Sequence, residues 1–373
     1  MQIEFNVPFS GFDYKKCWVA PVVSGIGSSS TMVLSMGRLD LDGVDVFEGS
    51  YLSYSKDRGA SWTTPARPEV FSIRNNCYGG KSSCEIFTKY HKKSKLLLGF
   101  GHLVNYTAYN NVDHVHPRPI TFSVFDECSS TWTKPVMIDI PDQINKGLAQ
   151  FAFQSVELDD GDILMPVAAT SLPESIFSIY TVRLRIEENN VRIIEYGQPI
   201  EISQPRGLYE PSLIRFQNKY FMTMRNDITG YVACSEHGLD FNRLKPWCFD
   251  NGELVGNYNT QQRWVRNGDN ELYLIYTRRN ANNDNVFRHR GPVMIAQVDP
   301  ERLCILRDTE QVLIPNRGAR MGNFMATEIS PGLSIFSVAE WMQNDDVGIS
   351  RAGAEYCASF GSDNSVYIAS IKW

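Results

Sequence analysis

One local pattern constrains this chain more than any other. SKDRGASW, Ser55–Trp62, fits S-x-D-x-G-x-x-W. In this Asp-box the Asp and Gly shape a turn between two antiparallel strands, and the Trp packs beneath it. Degraded copies follow at SVFDECSSTWTKP (123–135) and CSEHGLDFNRLKPW (234–247). A hairpin turn that recurs along a chain marks a repeated β-unit. The boxes are structural, so Asp57 and Trp62 receive no chemical role.

With the boxes taken as the turn between the third and fourth strands of a unit, the chain divides into six sets. Each opens with a strand A and continues with a strongly apolar strand B, such as KLLLGFGHL (95–103) or ELYLIYTRR (271–279). Strands C and D follow; the D strands of units one and three are read as RPEVFSI (67–73) and QPIEIS (198–203). The sixth set lacks a D strand, which the unassigned N-terminal IEFNVPF (3–9) supplies. This predicts an all-β, six-bladed β-propeller of four-stranded antiparallel blades, one domain over 1–373, closed by the N-terminal strand so that sheet edges are protected. A pair of β-sandwiches or a jelly roll explains the strands but not the repeated boxes. No helix of convincing period is read.

Composition narrows the function. Hydrophobic residues are 43% and charged residues 21%, an ordinary globular balance over 373 residues. The 17 Tyr and 7 Trp suit a β-rich chain with sugar-stacking surfaces. A net charge of −6 argues against nucleic acid as a partner. No run approaches the ~18 apolar residues of a membrane span. Met1 leads straight into QIEFNVPF, with no export signal. The chain reads as soluble and cytoplasmic as written, and as periplasmic or secreted if a signal was removed. The eight Cys show no metal-ligand spacing and read as small buried hydrophobes. No cofactor is called for. A structural Ca²⁺ on loop carboxylates has no ligand spacing to indicate it.

In such a blade the start of strand A and the end of strand B lie together on one face. The B strands end at Arg38, His102, Arg225, Arg278 with Arg279, and Glu340 with Trp341. The A strands begin near Trp18, Glu85, Gln154, Tyr209 with Glu210, Gln261 and Asn323. Clustered Arg reads a planar anion in bidentate fashion, and a carboxylate is the anion a sugar most often carries. An acidic oligo- or polysaccharide is the expected partner. Each Arg taken singly has a bland reading, pairing with a neighbouring Glu.

These residues carry a resemblance. Asp-boxes in a propeller resemble the sialidase superfamily. GFGHLVNY (99–106), RGLYEPSL (206–213), TMRND (223–227), NTQQRW (259–264) and YTRRNANND (276–284) resemble the sialidase-like propellers that cleave rhamnose–uronate linkages. That group includes ulvan lyases and rhamnose–glucuronate lyases, with related rhamnosidases. The resemblance covers about residues 50 to 340, and because such lyases are described with seven blades, seven is the alternative count. Sialidases use an arginine triad, a Tyr nucleophile paired with Glu, and an Asp acid. This chain lacks their Arg-Ile-Pro signature, and no Asp obviously fills the acid role.

The resemblance implies β-elimination of a uronate. His102 and Tyr209 would share the base and acid roles, and Arg225, sixteen residues after Tyr209, would neutralise the carboxylate with Arg278 or Arg279. Adjacent Arg would lower the pKa of Tyr209. A second His is sought among His114 and His116. Gln154, Tyr258 and Gln261 would bind hydroxyls, and Trp341 would stack on a ring. The alternative is a glycoside hydrolase, sialidase-like or a rhamnosidase, with carboxylates from Glu85, Glu210 and Glu340. A non-catalytic glycan-binding propeller is the third reading, since fold alone implies no activity.

Overall fold

The computed structural model describes residues 1–27, 30–41, 45–109, 111–127, 129–172, 176–257, 260–280, 282–346 and 351–373. Six antiparallel sheets succeed one another along the chain. The first blade has Lys16–Gly25, Met32–Asp40 and Val46–Ser55 as strands A, B and C. The second has Lys81–His91, Leu96–Tyr106, Ile120–Asp126 and a short outer Val136–Met137. The third runs Gly147–Phe151, Ile163–Ser171, Ser178–Glu187 and Asn190–Tyr196. The fourth is Tyr209–Phe216, Lys219–Arg225, Tyr231–Ser235 and Asn242–Pro246. The fifth is Arg263–Asn267, Glu271–Tyr276 and Val293–Asp299, flanked by Cys304–Ile305 and Gln311–Ile314. The sixth is Met325–Ser330, Leu333–Trp341 and Val366–Lys372.

The fourth strand of that last blade is Gln2–Phe9, which pairs antiparallel with Val366–Lys372. Successive blades contact one another in ring order, and blade 6 meets blade 1. This is a six-bladed β-propeller closed by its N-terminal strand, as the repeat predicts.

The core is a ring of wedges between blades. Blades 2 and 3 enclose Phe100, Phe122, Met165 and Val182. Blades 4 and 5 enclose Trp247, Trp264 and Leu274. Strands B are therefore buried on both faces, which explains their unbroken apolar runs. Five of the cysteines (Cys17, Cys84, Cys234, Cys304, Cys357) lie buried within this packing.

The first Asp-box is built as its motif requires. Asp57 accepts from the Ser55 hydroxyl (2.8 Å) and the Ser61 amide (2.9 Å), and Trp62 donates to the Gly59 carbonyl (3.1 Å). Hydrogen bonds from the Ser61 hydroxyl first, then from the Ser61 amide and the Ser55 hydroxyl, hold the Asp57 carboxyl down to about 2. In the degraded copies Trp132 and Trp247 are buried.

Three expectations change. RPEVFSI forms no outer strand: the one bridge to strand C, Leu52 to Ala66, falls just before it, and the stretch itself carries a 3-10 turn, Glu69–Phe71. In blade 3 the outer strand is Asn190–Tyr196, and QPIEIS makes only the bridge Ile179 to Ile200. A helix, Arg351–Ser359, lies between strands B and C of blade 6. It buries Ala354 and Cys357 against Cys17, Leu39 and Trp341. Among the described residues no helix is long and apolar enough to cross a membrane.

Candidate active site

Six strands A converging on one axis leave a cavity at the face where strands A begin and strands B end. It has a volume of about 420 Å³ and takes lining residues from every blade. Two backbone devices shape it. Glu210 has φ +48° at a break in register between Tyr209 and Ser212, a bulge that turns its carboxylate inward. Ala20 (φ +49°) sits in the matching bulge of blade 1. Beside His102, Gly101 packs so closely on strand A that an added Cβ would lie 1.7 Å from the Glu85 carbonyl oxygen. Only glycine fits there, and the tight approach sets Glu85 and His102 side by side.

Glu85 and His102 are direct cross-strand partners, with Nε2 and Oε2 3.9 Å apart. Burial pushes the Glu85 carboxyl up to about 7, partly opposed by a hydrogen bond from the Tyr106 hydroxyl (3.2 Å). Burial, with Arg118 nearby, pushes His102 down to about 4. Glu210 behaves oppositely to Glu85. Burial opposes its ionisation, but Arg225, whose Nη1 donates to Oε2 at 2.6 Å, holds the carboxyl below its ordinary value. One cavity thus contains one carboxyl held protonated near neutrality and one held ionised.

Tyr209 is buried, and the guanidinium groups of Arg206 and Arg225 each lie 4.6 Å from its ring centroid. Its hydroxyl donates to Asp227 and accepts from Arg206 (3.3 Å). Burial, opposed by Arg225, raises the phenol above its ordinary value. The expectation that adjacent Arg would favour a phenolate is therefore corrected: desolvation outweighs the cation, and the phenol stays protonated.

The cavity also gathers Arg225, Arg263, Arg290 and Arg320, all buried. Burial and repulsion from Arg225 and Arg320 lower Arg290 well below the usual guanidinium value. Burial lowers Arg320 to about 10; it packs 4.1 Å from the Trp341 ring, and its Nη2 donates to Gln343 (2.5 Å). Arg263 donates to Gln261 (2.7 Å), which in turn donates to Asn323 (2.9 Å). Buried guanidinium groups gathered in this way are chemically suited to an anion. Among the described residues no group of three His, Cys, Asp or Glu could hold a metal ion.

Of the residues expected from sequence, His102, Tyr209, Arg225, Glu85, Glu210, Gln261 and Trp341 line this cavity. Tyr258 lies outside the described residues. Six others do not line it. Arg38 follows the cavity-lining Gly37, and strand alternation turns it outward to Asp13 (3.2 Å). Arg278 is bound by both oxygens of Glu310 (2.7 and 2.6 Å), and exposed Arg279 pairs with Asp284 (3.2 Å). Glu340 is fully buried and locked to Arg317 (2.8 Å), with Asp363 and Ser365 amides donating to it. Gln154 pins strands together through the Trp264 and Ala326 carbonyls and faces a second cavity, of about 830 Å³, at the opposite end; Phe153 borders both. His116 pairs with Asp113 (2.6 Å), and His114 takes its place in the lining.

The residues that strand-end reasoning misses are Asp45, Arg118, Arg206, Arg288, Arg290 and Arg320. They sit in B–C connections or in the segments leading into strands A. Their signal was the Arg-rich FRHR (287–290) and the Arg three residues before Asn323.

No protein-family model and no curated protein matches this sequence. Solved structures do match. The NanB sialidase of Streptococcus pneumoniae superposes with a TM-score of 0.65 at 12% identity, over 99% of this chain and 70% of that one. The intramolecular trans-sialidase of Ruminococcus gnavus gives 0.61 at 12%, over 98% and 96%. The α-L-arabinanase of Penicillium chrysogenum, solved with arabinobiose, gives 0.55 at 12%, over 100% and 99%. The fold is that of the sialidase-like propellers.

Proposed function

We propose that this protein is a carbohydrate-active enzyme that hydrolyses a glycosidic bond in a carboxylate-bearing glycan. The observation that carries the reading is the split pair Glu85 and Glu210 in one cavity, with carboxyls displaced in opposite directions. Two carboxyls whose environments separate them divide naturally into an acid and a base or nucleophile. Glu85, protonated up to about pH 7, donates to the leaving glycosidic oxygen. Ionised Glu210 faces the developing positive charge at the anomeric carbon, as nucleophile or as base for water. Arg225, Arg290 and Arg320 hold the sugar carboxylate. Structural neighbours named as sialidases and as an arabinanase support a sugar-cleaving role at the level of fold.

A second reading, β-elimination of a uronate, is favoured by His102 and Tyr209. A neutral imidazole is a competent base, and a protonated phenol a competent acid for the leaving oxygen. The products separate the two. Incubation with sialylated and uronate-containing oligosaccharides should release reducing ends without the ultraviolet absorbance of an unsaturated uronate, and a neutral arabinan oligosaccharide should stay intact. Absorbance growing with each cleavage would replace hydrolysis with elimination. No cleavage of any substrate leaves a binding propeller.

A further inference from the structure

Blade 2 rises above the cavity. Its strands A and B are eleven residues each, against five and six in blade 5. Glu85 and His102 each lie four residues inside the end of their strand at the cavity face, so the pair extends about 13 Å beyond them at ~3.3 Å per residue. At the top of this wall the ring of Tyr78 stacks on His116, with centroids 3.7 Å apart and planes 15° from parallel. Tyr78 is nonetheless 49% exposed.

Both halves of the pair are held from behind. Asn76 accepts from the Tyr78 and Gly80 amides (3.0 and 2.8 Å) and donates to the Lys81 carbonyl (2.9 Å). Buried Asp113 accepts from the Val115 and His116 amides (2.8 and 3.1 Å) and from the His116 imidazole (2.6 Å). The segment carrying His116 also sends His114 and Arg118 into the cavity lining, so wall and cavity are continuous.

We infer that Tyr78, backed by His116, is a distal sugar-binding subsite that stacks on a ring further along the glycan whose bond is cleaved below. An aromatic ring fixed in place presents a large amphipathic face at little entropic cost, which suits the apolar face of a sugar. Tyr78 does not line the cavity but stands beside its Val112 and His114 edge, where a further ring of a glycan seated in the cavity would meet it. The inference rests on the glycan-cleaving reading and identifies chain length as a determinant of its substrate.

The test is calorimetric titration of Glu85→Gln protein with di- and hexasaccharides from a uronate-containing polysaccharide, with and without Tyr78→Ala or Tyr78→Phe. The hexasaccharide should bind about tenfold more tightly than the disaccharide, the factor that ~1.4 kcal/mol represents. Tyr78→Ala should bring that ratio towards one, and Tyr78→Phe should keep it, which separates stacking from a folding defect. An unchanged ratio in Tyr78→Ala overturns the subsite while cleavage by the parent protein stands. A Tyr78-dependent ratio with no cleavage by the parent overturns the catalytic reading while the subsite stands. No binding by either length overturns both.

Discussion

Glu85 and His102 face each other across paired strands, and burial drives both towards their neutral forms, one up to about 7 and the other down to about 4. Neither group can be assigned this behaviour from its place in the sequence, because desolvation depends on which six strand ends meet. Residue-level errors have an equally physical source. Strand alternation means that a one-position shift exchanges cavity for exterior, so Gly37 lines the site and Arg38 does not. The opposed titrations give a discriminating prediction. If Glu85 is the proton donor, kcat/KM holds below about pH 7 and falls above it, as the acid is lost. If neutral His102 is the base, activity is lost only as pH drops through about 4 and is level through neutrality. A pH–rate profile over this range checks it. In the first case Glu85→Gln should remove the alkaline limb and lower kcat by about 10²–10⁴-fold. Stability has its own sign. Glu85 favours the fold fully below its unfolded value of 4.5 and loses that contribution as pH rises through about 7; His102 loses its own as pH falls from 6.5 through about 4.

Strands A and B were legible because sheets packed between neighbouring blades need continuous apolar runs, and the Asp-boxes because their turn demands particular residues. Outer strands were harder to read. They face solvent on one side and carry little apolar periodicity; RPEVFSI in blade 1 turns into a 3-10 segment, and QPIEIS in blade 3 contributes a single bridge. The helix Arg351–Ser359 was missed because only one narrow face, Ala354 and Cys357, is apolar and buried. The bulge that re-aims Glu210 leaves no composition signal beyond the following Pro211. At this scale the first Asp-box can be tested apart from the chemistry. Gly59 has φ +88°, and a Cβ there would meet Met32 and Trp62 only at ordinary contact distance, 3.6 Å. Gly59→Ala therefore isolates the backbone penalty. Denaturant titration should show a loss of about 1–2 kcal/mol with kcat/KM unchanged. A neutral effect would mean that the turn relaxes and the motif's glycine is dispensable.

Closure of the ring ties the first strand to the site, although no residue of that strand lines the cavity. Gln2–Phe9 completes blade 6, and Ile3 packs on the cluster between blades 5 and 6, Phe9 on that between blades 6 and 1. Phe5 meets Tyr367 edge-on, and Asn6 donates to the Gly59 carbonyl in the Asp-box of blade 1 (3.1 Å). The strand thus spans the seam where the end of the chain returns to its beginning. Blade 6 contributes Trp341, with Arg320 and Asn323 just before its strand A, so loosening this seam should disturb these cavity-lining residues from the far side of the blade. Removal of residues 2–9 exposes the edge of Val366–Lys372, and an unpaired edge recruits other edges. Loss of three or four partly buried apolar side chains, at ~1–2 kcal/mol each, should lower Tm by about 5–10 °C. Size-exclusion chromatography should show self-association of the shortened chain, and glycan affinity should fall with the blade 6 contacts. A peptide of sequence QIEFNVPF added in trans should restore the monomer and part of the Tm. A shortened chain that stays monomeric with the parent Tm would mean that the inter-blade wedges close the ring without the strand.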